Sequence, residues 1–87
     1  MKLNHILNKL ITMELQSFIA NLADQFDDTD PSEITATTKF QELDEWGSLT
    51  TMIVIAFINT EYGKNITGAE IRNCETVEDL YNFISSK

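Results

Sequence analysis

The chain has 87 residues, 43% hydrophobic and 23% charged, with fourteen acids against six bases and a formal net charge of -8. This is one small domain with enough apolar content to fold, and its charge excludes the Lys/Arg clusters that hold nucleic acids or anionic membrane surfaces. A single cysteine, Cys74, and a single histidine, His5, exclude a disulfide framework and a cysteine-based metal site.

Residues 1–12 differ from the rest. They carry Lys2 and Lys9 and no acid, and Leu3, Ile6, Leu7 and Leu10 recur at helical spacing. They read as an N-terminal amphipathic extension to a domain spanning 13–87, with Met13 as an alternative start. The opening is too polar for a signal-peptide core, and no apolar run reaches membrane-spanning length. A cytoplasmic protein without membrane contact is expected.

From Glu14 onward, Leu15, Phe18, Ile19, Leu22, Ala23 and Phe26 form one helical stripe, which the run Asp27-Asp28-Thr29-Asp30-Pro31 ends. A polar connection then runs from Asp27 to about Gly47, with Ile34, Phe40, Leu43 and Trp46 as its anchors to the core. Connections this long are usually functional. The segment Met52–Ile58 is rich in β-branched residues, as in a buried strand. However, the apolar run extends to Tyr62, Ser48 supplies a start signal and Gly63 a stop, so a helix is predicted. Thr67 and Glu70 have the spacing of a capping box before a short helix. Thr76 caps a last helix whose stripe is Val77, Leu80, Tyr81 and Ile84, with Cys74 packed beside it as a small hydrophobe. The fold class is all-α, a small four-helix bundle of three main helices and one short one with a long first loop.

Ser48 has two readings. As a helix N-cap, its replacement by Ala would cost about 1 kcal/mol. As a site of chemistry, its hydroxyl stands at a helix start, where backbone N–H groups and the dipole suit a phosphate anion. The surrounding residues favour the second. Phe40 precedes Ser48 by eight residues, Trp46-Gly47-Ser48-Leu49 begins the helix, and Tyr62, Ile66, Thr76, Val77, Leu80 and Ile84 follow without gaps. In this pattern the chain resembles the acyl and peptidyl carrier proteins, whose central motif is Asp-Ser-Leu, often preceded by Trp.

The resemblance covers roughly Leu15 to Ile84 and implies an acyl-carrier-like fold. It also implies covalent attachment of 4'-phosphopantetheine to Ser48, drawn from coenzyme A by a phosphopantetheinyl transferase that uses Mg²⁺. The arm would hold fatty acyl, polyketide, hydroxyacyl or aminoacyl groups as thioesters for a dedicated pathway of fatty acid, polyketide or nonribosomal peptide biosynthesis. The chain itself would be no enzyme: it has no acid/base pair, triad or metal set placed to act together. Loading and acyl-transfer enzymes would be its partners.

Two departures stand out. Gly47 replaces the motif's Asp, leaving Asp44 and Glu45 to supply part of the lost charge. The helix from Leu49 to Thr60 has no acid, whereas family members usually expose several there. Helical spacing assigns Thr51, Val54, Ile55, Ile58 and Tyr62 to the core face, which leaves Met52, Ile53, Ala56 and Phe57 elsewhere. Trp46, Gly47, Leu49, Met52, Ile53, Ala56 and Phe57 are therefore the expected partner-binding residues, serving an enzyme or a weak homodimer. The alternative function is an unmodified helical adaptor that binds a partner through this apolar second helix.

Overall fold

The computed structural model describes residues 14–87. The proposed extension, residues 1–12, and Met13 lie outside the described residues. Among the described residues four helices form the fold and no strand occurs. They are α1, described over residues 14–23, α2 (Ser48–Tyr62), α3 (Gly68–Arg72) and α4 (Val77–Ser85). None is long and apolar enough to cross a membrane.

The helices start and stop where the local chemistry dictates. Helix α1 ends at residue 23, short of the 27–31 run expected to end it, so Phe26 is buried from beyond the helix; Asp30 is extended, as a residue before proline should be. Gly63 ends α2 at φ 64°, and its N–H donates to the Asn59 carbonyl. That left-handed conformation suits glycine, which has no Cβ to clash. Both predicted N-terminal caps of the later helices form. Thr67 accepts from the Glu70 N–H at 3.1 Å while Glu70 accepts from the Thr67 N–H at 2.9 Å. Thr76 and Asp79 make the same reciprocal pair at α4.

Helices α1 and α2 run antiparallel. Phe18 of α1 meets Phe57 and Tyr62 near the end of α2, while Phe26, just past α1, meets Trp46, just before α2. Phe18, Leu22, Phe40, Val54, Ile58, Ile71, Val77 and Leu80 are almost wholly buried between the helices. Each such side chain contributes roughly 1.5–3 kcal/mol of burial before the entropy of ordering is subtracted.

The long connection is pinned, as its anchors predicted. Ile34 and Phe40 are buried, and Leu43 and Trp46 pack partly against the core. Two short 3-10 turns, Pro31–Glu33 and Phe40–Glu42, shape it. The carbonyls of Ala36 and Thr38 accept from the first N–H groups of α4, at Glu78 and Val77. The connection thereby satisfies donors that a helix start leaves unpaired.

The core face of α2 is rotated from the predicted one. Thr50, Val54, Phe57 and Ile58 are buried, whereas Thr51, Ile55 and Tyr62 are half-buried. The expectation that Phe57 faces away from the core is corrected: it is 6% exposed, with its ring 6.1 Å from Phe18 and 5.7 Å from Tyr62. Thr50 can turn inward because its hydroxyl donates to the Glu45 carbonyl at 2.7 Å. A helix apolar on nearly every side carries no sharp periodic signal of its inner face.

Candidate functional site: the start of helix α2

The segment before Ser48 is held from several directions. The Trp46 ring lies 5.0 Å from Phe40, edge-on, and 6.3 Å from Phe26, stacked. The Trp46 backbone N–H donates to the Leu43 carbonyl. The Glu45 carboxylate accepts from the Asp27 N–H at 2.8 Å, the Asp28 N–H at 3.0 Å and the Thr29 hydroxyl at 2.7 Å. The Thr29 hydroxyl first, with those N–H groups, holds the carboxyl below the usual glutamate range. Glu45 therefore ties the start of α2 to the end of α1. Its side chain is committed to this tie, whereas Asp44 makes no such tie among the described residues.

Ser48 is not the N-cap. Gly47 occupies that position, with no side-chain cap, and Ser48 is the first helical residue. The Ser48 hydroxyl is exposed and makes no hydrogen bond to any described residue. The helix is closed instead from the next turn, where the Thr51 N–H and hydroxyl both donate to the Gly47 carbonyl, at 2.9 and 2.8 Å. The N–H groups of Ser48, Leu49 and Thr50 have no partner among the described residues. Helices α3 and α4 carry full capping boxes, so α2, the longest helix fully described, is the one that starts bare. An unbonded hydroxyl beside three open N–H groups can accept a phosphate ester, whose charge the helix start stabilises.

The expected partner-binding residues separate into two groups. Leu49 is 71% exposed, Met52 66% and Ile53 38%, and Ala56 is also exposed. With Gly47 they form one uncharged surface next to Ser48. Trp46 is half-buried and acts as an anchor, while Phe57 belongs to the core. A groove of about 450 Å³ runs from Gly47 and Ser48 past Met52 and Ile55 to Gly68 and Arg72. It continues along Ala56, Asn59 and Ile66. A larger cavity, about 660 Å³ and floored by Phe18, Tyr62 and Tyr81, lies at the far end of α2. It offers Ser48 nothing.

The bare hydroxyl and the open groove beside it fit an attached pantetheine arm. A Cβ at Gly47 would meet nothing within 4 Å, so no bulk blocks approach to the serine. Among the described residues no group of three His, Cys, Asp or Glu side chains could hold a metal ion. Cys74 is buried, and burial, followed by Asp79 and Glu70, pushes its thiol up, which makes it a poor nucleophile. Sequence reasoning missed the Glu45 tether and Gln41, whose amide donates to the carbonyls of Cys74 at 2.7 Å and Ile71 at 3.2 Å. Neither has a sequence signal, because both act on backbone groups more than a dozen residues away. No family model matches the chain, and no curated protein matches it.

Proposed function

We propose that this chain is a carrier protein that bears 4'-phosphopantetheine on Ser48. The observation that carries the reading is the Ser48 hydroxyl itself: exposed, without a capping role, and fixed in place by the Glu45 and Trp46 anchors. Attack of that oxygen on the pyrophosphate of coenzyme A forms a phosphodiester and releases the adenosine bisphosphate half, with the hydroxyl proton passing to a base on the transferase. When bound, the arm supplies a terminal thiol for thioester linkage of acyl or aminoacyl groups. The chain contributes a rigid handle, a helix start that favours the ester's negative charge, and a surface for partners. Catalysis belongs to those partners.

A second reading has its own supporting observation. Leu49, Met52 and Ile53 are exposed on a helix that carries no acid before Glu61, as in an adaptor that docks by apolar contact and is never modified. One experiment separates the two. The purified chain is incubated with coenzyme A, Mg²⁺ and phosphopantetheinyl transferases, including the native one, and its intact mass is recorded. Gain of one phosphopantetheine, lost in Ser48→Ala, supports the carrier. No gain with any transferase supports the adaptor.

A further inference from the structure

Four cations lie among the described residues, and three of them are engaged. Lys39 pairs with Glu75 at 3.3 Å, Lys87 pairs with Glu70 at 3.1 Å, and Lys64 donates to the Lys87 carbonyl at 2.6 Å. The Arg72 guanidinium has no ion pair and no hydrogen bond to a described residue. In a chain of net charge -8, an arginine left without a carboxylate is the unusual case.

Its position is informative. Arg72 borders two grooves, one shared with Glu42 and Glu75 and one shared with Ser48. Its Nη1 lies 3.5 Å from where a Cβ of Gly68 would stand. Gly68 lines the Ser48 groove and not the other, which places Nη1 at the edge of the Ser48 groove. The guanidinium thus rests in ordinary contact distance of position 68.

We propose that Arg72 is the positioning cation for the phosphate ester on Ser48. A guanidinium presents paired N–H donors that match phosphate oxygens. Contact with the phosphodiester would fix the direction in which the arm leaves the serine, along the α2–α3 groove. It would also supply, from α3, a positive charge beside the ester's negative one. This inference rests on the carrier reading and adds to it a residue outside the Ser48 motif.

The test uses the loaded chain. Intact mass first establishes loading of wild type, Arg72→Gln and Arg72→Lys. Thermal melts of the apo and loaded forms are then recorded at low and high salt, together with the phosphorus NMR spectrum of each loaded form. The expected result is that the apo forms melt together and that loading raises the wild-type melting temperature at low salt. Most of that rise is lost in Arg72→Gln and partly restored in Arg72→Lys. The phosphorus resonance shifts in Arg72→Gln at low salt and converges with wild type at high salt, where the ion pair is screened. An equal rise on loading and an unmoved phosphorus resonance in Arg72→Gln would overturn the role of Arg72 and leave the carrier reading standing. Failure of the wild type to load with any transferase would overturn both, and the mass spectrum reads that outcome separately.

Discussion

Replacing Gly47 by aspartate would give the chain an Asp-Ser-Leu sequence and cap a helix that starts bare. The backbone at Gly47, φ -176° and ψ -168°, is extended, so an L-residue adopts it without strain. Its Cβ would have open space. Three gains follow. A side-chain cap in place of glycine is worth a few tenths of a kcal/mol. A carboxylate at the helix start adds about 0.3–1 kcal/mol. Loss of glycine's freedom in the unfolded chain adds about 0.4–1 kcal/mol. Repulsion from Asp44 and from the rest of an acidic chain removes part of this, leaving a net gain of about 1 kcal/mol, or a melting temperature roughly 4–8 °C higher for a domain of this size. Circular dichroism melts at low and high salt measure the rise, and its dipole share should shrink with salt. A folded Gly47→Asp variant that melts at or below wild type at both salts would refute the reasoning, because position 47 would then not be an open cap. Ser48→Ala is the control. With Gly47 as the cap it should change stability by less than about 0.5 kcal/mol, and a loss near 1 kcal/mol would restore Ser48 to the capping role.

Other substitutions separate core from surface. Phe57→Ala should cost about 3–5 kcal/mol by chemical denaturation, whereas Ile53→Glu and Met52→Glu should melt like wild type and lose partner binding. Unfolding of the glutamate variants would sink the surface assignment. Glu45→Gln should melt below wild type at neutral pH. The folded carboxyl is held below its ordinary value of 4.5, so its contribution is full above that value and disappears as pH falls through the lower folded value. The gap between the two proteins should therefore close on acidification, and a gap independent of pH would exclude the carboxylate as its source. Gln41→Ala should cost about 1 kcal/mol by leaving part-buried carbonyls short of a donor, with faster amide exchange concentrated in α3 and the turn to Cys74.

The helices were legible because most of their signals are written locally: Thr67 with Glu70, Thr76 before an acidic turn and Gly63 after Tyr62 each act within four residues. Two ends were not, because α1 stops at residue 23, short of the 27–31 run, and α2 starts at Ser48 instead of after it. The anchors of the long connection were legible for a similar reason: an isolated Ile34 or Phe40 in polar sequence has nowhere favourable to go but the core. The inner face of α2 was not legible. Its apolar residues surround the helix, and the rotation is decided by a hydroxyl–carbonyl bond from Thr50 to Glu45 and by the fit of Phe57 against Phe18. At the candidate site, Ser48 could be found from its neighbours, but its freedom from capping depended on the register of the helix start, one residue earlier than the sequence signal suggested. The Glu45 tether depends on tertiary contact and leaves no trace in local pattern.

The charge distribution bears on how such a site would meet its partners. The chain carries -8 overall, yet nothing between Leu49 and Thr60 is charged, and the exposed part of that stretch is apolar. Long-range attraction to a basic partner and short-range contact would then come from different places. On the carrier or adaptor reading, the acids outside α2 would govern how fast partners arrive, because steering acts over distance and is screened by salt. Leu49, Met52 and Ile53 would govern how long partners stay, because apolar contact depends little on salt and interface changes act mainly on dissociation. Docking through acids on α2 itself would combine both effects in one salt-sensitive step. On this surface they are separable: added salt should slow association, while Met52→Glu should speed dissociation at any salt concentration.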